Sequence, residues 1–191
     1  YFFLAPLRSF FGFFVCLLIN TAKMLILVPK ITNRLQYAFD FVFNTMLDVT
    51  FQFTTDKDLF RDYEGKKMSY GDVPLWDEPF QKAAKLLFER EIYEQDLKPI
   101  DFMGIKGIFP VYSQRSLMPF DVFAASFFLI SRYEEYLPQI RDQYGRFTPE
   151  SSCLYRMELL SKPVVDNWAQ ELARRLQLEP FPASRNYAFV P

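Results

Sequence analysis

The sequence contains no histidine. That excludes Ser-His-Asp and Cys-His catalysis and removes the commonest zinc ligand. Cysteine is nearly as scarce: Cys16 and Cys153 are the only two and lie far apart in the chain. They suggest neither a zinc site nor a disulfide framework and read as two unpaired thiols. Glycine is sparse, with six in 191 residues. The stretch Gly104-Ile105-Lys106-Gly107 looks like a fragment of a phosphate loop. It lacks the remaining glycine and the following Ser or Thr, so it reads as a hairpin turn. Neither sign of charge is in excess: 22 basic and 23 acidic residues leave a net charge of -1. There is thus no electrostatic case for nucleic acid or for an anionic membrane surface.

What is abundant is apolar and aromatic. Half of the residues are hydrophobic, 23 of them Phe, and the length suits one domain with a sizeable core. The centre is Pro119 to Phe147, PFDVFAASFFLISRYEEYLPQIRDQYGRF. Pro119 suits a first helical turn, and Asp121 within that turn complements the positive end of the helix dipole. Val122 to Ile130 then has almost no polar face, as expected of a buried helix. The run is too short to span a bilayer, which takes about 20 residues. Arg132 and Glu135, three apart, can pair on one face. Pro138 stops the helix soon after Leu137. Asp142-Gln143-Tyr144-Gly145 is a type I turn by composition.

Upstream, Met24 to Val28 is a short apolar run ended by Pro29, as in a buried strand. Asn33 and Gln36 suggest a capping box. Leu35, Ala38, Phe39, Val42, Phe43 and Met46 follow at the spacing of an amphipathic helix. Leu47 to Thr54 alternates apolar and polar residues, as in a half-buried strand. Strand, helix and strand in about thirty residues form a βαβ unit with a parallel pair. Asp56 to Tyr63 reads as a short helix and Lys67 to Tyr70 as a third strand. Phe80 to Glu94 has helical composition, and Asp101 to Tyr112 reads as one or two short strands with a turn. Pro163 opens a last helix with Val165, Trp168, Ala169, Leu172 and Leu176 as its buried stripe, and Arg174 and Arg175 near its C-terminal end. The fold expected is α/β: a small, partly parallel sheet with flanking helices and one central buried helix.

The candidate functional cluster is Asp121, Arg132, Tyr133, Glu134, Glu135, Arg141, Asp142 and Arg146. Glu134, Glu135 and Asp142 could serve a metal or acid–base chemistry. Three arginines beside three carboxylates favour a structural charge network instead. Adjacent helical residues also point about 100° apart, so Glu134 and Glu135 do not easily share one ion. Trp76, Tyr112 and Tyr133 could stack on a sugar ring, with core packing as the competing reading. On these residues no catalytic residue and no metal ligand is assigned.

The pattern FD-FAASF-L-SRYEEYL followed by RD--GRF has companions elsewhere. They are LILVPKITNRLQYAFDFVF (residues 25–43), LLFE (86–89) and KPVVDNWAQEL (162–172). Together these resemble, from about Met24 to Pro191, the domain of unknown function that precedes the catalytic domain in some bacterial polysaccharide deacetylase (NodB-like) proteins. Deacetylases of that kind hydrolyse acetyl groups on sugar polymers with a metal held by one Asp and two His. None of those ligands can be carried over to a chain without histidine. The resemblance implies an accessory domain whose partner is a C-terminal deacetylase domain of the same chain, with a polysaccharide as a further partner. No cofactor belongs to this segment, and a divalent metal is implied for the catalytic domain.

The resemblance also sets the expected organisation. Residues 1–23 read as an apolar leader or a non-native upstream segment, 24–179 as the accessory domain, and 180–191 as a linker and first strand toward the catalytic domain. Phe10 to Ile19, with Arg8 before it, has the length of a signal-peptide core. If that segment is native the protein is exported or membrane-anchored; if Met24 is the true start it is cytoplasmic. Two rival functions remain open: a stand-alone carbohydrate-binding module, and a metal-dependent hydrolase using Glu134, Glu135 and Asp142.

Overall fold

The structure is a computed structural model that describes residues 24–138 and 141–178. The expected leader at 1–23 with Cys16, and the expected linker and strand at 180–191, lie outside the described residues.

Strand β1 (Met24–Leu27) is buried at all four positions. Successive side chains take opposite faces of a strand. Met24 and Ile26 enter the main core, while Leu25 and Leu27 join a smaller cluster around Phe60. A parallel strand covered on both faces needs a continuous apolar run, and MLIL supplies it. The chain then crosses through α1 (Asn33–Phe39) to β2 (Phe51–Thr54), parallel to β1. After α2 (Lys57–Asp62), β3 (Lys66–Gly71) pairs with the other flank of β1, and β4 (Phe80–Lys82) pairs with β3. The sheet order is β2-β1-β3-β4, parallel throughout. A separate hairpin joins β5 (Ile100–Phe102) to β6 (Ile105–Gly107). Three further α-helices follow among the described residues: α3 (Val122–Ile130), α4 (Cys153–Arg156) and α5 (Val164–Arg175). This is the α/β fold expected from the sequence. No described helix is long and apolar enough to cross a membrane.

Local departures have local causes. Thr32, not Asn33, caps α1, its hydroxyl accepting from the Leu35 N–H and donating to the Leu87 carbonyl. The continuous α-helix expected through Met46 becomes a π-helical segment at Asp40–Met46, in which Asp40 accepts from Gln36 and Asn44. The strand expected from Leu47 shortens to its last four residues. Asp48 is left-handed (φ 50°) and β1 offers only four partners, so Leu47 and Val49 enter the core from a loop. Phe80 to Glu94 is not helical. Phe80 and Gln81 are buried in β4, the Ala83 N–H extends the ladder to the Gly71 carbonyl, and one 3-10 turn follows at Lys85–Phe88. Tertiary pairing outweighs helix propensity there. The central helix ends at Ile130 rather than near Leu137. Arg132 is left-handed (φ 53°), and a 3-10 turn at Tyr133–Tyr136 replaces the last turn. In α5, Val164 is buried and Val165 only partly so.

The core is aromatic. Phe39 stacks on Phe123 with centroids 3.7 Å apart and is ringed by Phe43, Phe51, Phe53 and Tyr70. Trp168 of α5 is buried; its indole N–H donates to the Lys106 carbonyl at 2.8 Å and its ring meets Phe120 edge-on. The glycines of Gly104-Ile105-Lys106-Gly107 divide two tasks. Met103 and Gly104 both have positive φ, as a two-residue hairpin turn requires. Gly107 lies so close to Phe120 that a Cβ there would collide with the ring.

Candidate functional site

In open parallel sheets, ligand crevices form outside the carboxyl ends of strands where the strand order reverses. Here the reversal lies between β1 and β3: the chain leaves β1 for β2 on one flank and returns to β3 on the other. Pro29 lacks the N–H that would continue the β1 ladder, and β3 ends at Gly71. A cleft of about 380 Å³ lies at these two strand ends. Leu27, Val28, Pro29, Val73 and Leu75 wall it, with Thr55 and Lys57 at its polar side. A second cleft of about 470 Å³ shares Pro29, Gly71 and Asp72 with the first and adds Lys30, Ala84, Lys85 and Phe88. The two form one trough along the carboxyl edge of the sheet.

Asp121 anchors this edge from beneath. It is fully buried and caps α3, its Oδ1 accepting from the Phe123 and Ala124 N–H groups at 3.0 and 3.1 Å. Its Oδ2 accepts from the Tyr70 hydroxyl at 2.7 Å and from the Ala84 N–H at 2.6 Å. Burial pushes the Asp121 carboxyl up to about 6, against the pull of these four donors. Burial, reinforced by the neighbouring carboxylate, raises the Tyr70 phenol well above its ordinary value. Tyr70 lines the first cleft and Ala84 the second. One side chain therefore holds a wall of each.

Ala84 also borders a third cleft, of about 240 Å³, lined by Gln95, Asp96, Lys98, Phe109, Pro110 and Tyr112. Phe109 is strained there: its φ of 62° is costly for a bulky residue. Its carbonyl accepts from the Asp121 N–H at 2.9 Å. Tyr112 stands 86% exposed at the rim. Behind these walls the buried Gln81 amide accepts from the Met118 N–H and donates to the Phe120 carbonyl.

The eight residues singled out in the sequence fall into separate groups. Asp121 is at the sheet edge. Tyr133 is buried against Phe127 and Phe128, beneath the Arg34 guanidinium, and its hydroxyl exchanges hydrogen bonds with the Tyr93 backbone. Arg132 pairs with Glu135. Glu134 reaches α4, accepting from the Ser152 hydroxyl at 2.7 Å and the Cys153 N–H at 2.9 Å. Burial, then the Glu134 charge, push the Cys153 thiol up to about 12. Asp142, Arg141 and Arg146 sit in the expected turn, closed by a hydrogen bond from Gly145 N–H to Asp142 O. The Arg146 backbone N–H, with its side chain and the Tyr144 N–H, holds the Asp142 carboxyl below its usual range. Arg141 donates to the Gly145 carbonyl. Among the described residues no group of three or more Cys, Asp or Glu side chains is placed to hold a metal ion.

Because Glu134 accepts from the Cys153 N–H at the start of α4 and from the hydroxyl of its cap, Ser152, Glu134→Ala is expected to cost about 1–2 kcal/mol in urea denaturation. Of the aromatics considered for stacking, Tyr133 is interior, Trp76 lies parallel to Phe60, and Tyr112 is free at the rim. Tyr70, Ala84 and Phe109 carried no local sequence signal. Their roles depend on contacts with a residue up to 51 positions away. Lys30, Lys57 and Lys85 look like ordinary surface lysines until the strand ends are placed.

Residues 24–180 match the Family of unknown function (DUF7033). No curated protein and no solved structure matches the chain.

Proposed function

This chain belongs to the Family of unknown function (DUF7033), and on that premise we propose that it is a non-catalytic accessory domain. It works beside a polysaccharide deacetylase-like catalytic domain of the same protein, positioning that domain or its glycan substrate. The divalent metal and its ligands belong to the catalytic domain. The observation that carries the reading is the use made of the carboxylates. Asp121 caps α3 and binds Tyr70, Glu134 accepts from Ser152 and Cys153 at the start of α4, Asp142 closes a turn, and Glu135 pairs with Arg132. Each is a hydrogen-bond acceptor within the fold rather than a base facing open space. Joined to the catalytic domain, this domain is expected to lower KM for an acetylated polymer several-fold while leaving kcat on a short acetylated oligosaccharide unchanged. Equal KM values with and without it would sink the reading.

A second reading, a carbohydrate-binding module with its own affinity, is favoured by one observation: Tyr112 offers an exposed ring beside Gln95, Asp96 and Lys98. An aromatic face next to hydrogen-bonding groups suits a sugar ring. The metal-dependent hydrolase built on Glu134, Glu135 and Asp142 is the weaker reading, since it would need all three to leave their present partners.

A further inference from the structure

The trough along the carboxyl edge of the sheet has features that the accessory-domain reading does not use. It lies at the one reversal of strand order, where α/β sheets take small ligands. Its floor and walls are apolar: Leu27, Val28, Pro29, Val73 and Leu75. Its lining carries more positive than negative charge: Lys57 at one end, and Lys30 and Lys85 at the other, against Asp72 and Glu89. The Asp72 carboxylate is exposed and lies 4.0 Å from the Lys82 ammonium, which donates to the Asp72 carbonyl at 3.0 Å. Glu89 accepts from the neutral Gln95 amide. Lys57, Lys30 and Lys85 form no ion pair among the described residues. The trough is also preformed. Asp121 fixes Tyr70 and Ala84 behind it.

We propose that this trough binds a small organic anion with an apolar body. The carboxylate or phosphate head meets the ammonium group of Lys57 or Lys85, and the body lies along the wall from Leu27 to Leu75. Few polar groups set into an apolar cleft fix a ligand's orientation, and ammonium groups supply charge-assisted hydrogen bonds. The proposal stands whether or not the protein serves a deacetylase.

The test is a titration of the whole ¹⁵N-labelled chain with 2-naphthoate, with neutral 2-naphthamide and inorganic phosphate as comparators. Saturable shifts are expected for 2-naphthoate at the Val28, Gly71 and Asp72 amides, weaker with either comparator and weakened by added salt. The Lys57→Gln/Lys85→Gln double variant, judged folded by its amide dispersion, is expected to bind about tenfold more weakly. Three results would each overturn the proposal: no saturation, shifts that map elsewhere, or equal binding of naphthamide or by the double variant.

Discussion

Asp121→Ala is expected to destabilise the protein by about 4 kcal/mol. The substitution removes the α3 cap, worth about 1 kcal/mol. It also strands the Tyr70 hydroxyl and the Ala84 N–H in the interior, at about 1–3 kcal/mol each. All four acceptor contacts end on this one buried side chain. Asp121→Asn keeps the shape and the cap but turns an amide NH₂ toward the Ala84 N–H, so about half of that loss is expected. The pH dependence separates the charge from the shape. A carboxyl whose value is raised in the fold, here to about 6 from an ordinary 3.8, contributes stability that is complete below the lower value. That contribution is lost as pH rises through the upper one. Wild type should lose up to about 3 kcal/mol over that window, and the Asn variant should show no such slope. Glu171 works the other way. Arg174, and then Arg175, hold its carboxyl down to about 2. Its contribution is complete above the ordinary 4.5 and is lost as pH falls from there through about 2, overlapping only the acid end of the Asp121 window. Urea denaturation from pH 2 to 7 measures both slopes.

Phe39→Ala should cost about 4–5 kcal/mol. Phe39 has no exposed surface, and its ring meets five others, including the close parallel stack on Phe123. Large-to-small changes at such sites cost about 3–5 kcal/mol through lost burial and the cavity left behind. Each aromatic pair adds about 0.5–1.5 kcal/mol. Phe39→Leu, which refills most of the volume, is expected to cost about 1–2 kcal/mol. Phe39 joins α1 to β2, β3 and α3, so the loss should appear as a lowered global midpoint in thermal melts. A cost of under 1 kcal/mol for the Ala variant would mean that this cluster is not the packed centre of the domain.

The fold was legible wherever one side chain's periodicity decided the matter. The apolar run of β1, the helical spacing from Leu35 to Phe43 and the uniformly apolar α3 all formed close to where the sequence placed them. Of the GIKG stretch only Gly104 lies in the hairpin turn, where its positive φ is needed, while Ile105 to Gly107 form β6. What failed was settled by distant partners. Phe80 to Glu94 carries helix formers, yet Phe80 and Gln81 are claimed by β3 and by the backbone of Met118 and Phe120. The end of α3 depended on Arg132 turning left-handed, which its local composition does not announce.

The site was legible only in part, for the same reason. Asp121 stood out as a helix-start acid. Its second role, tying Tyr70 and Ala84 to the sheet edge, exists only once β3, β4 and α3 meet. The Arg–Glu–Asp cluster looked like one constellation because its members are neighbours in sequence. In space it separates into an ion pair, a brace at the start of α4 and a turn. Charge density along a chain marks solvated turns and helix ends as readily as it marks chemistry.

Acetate release by the purified chain, incubated with an acetylated glycan and added zinc or cobalt, bears most directly on a domain that positions rather than hydrolyses. The expected result is a rate no higher than the protein-free blank, with and without metal. Turnover that disappears on chelation and in a Glu134→Gln or Asp142→Asn variant would contradict it.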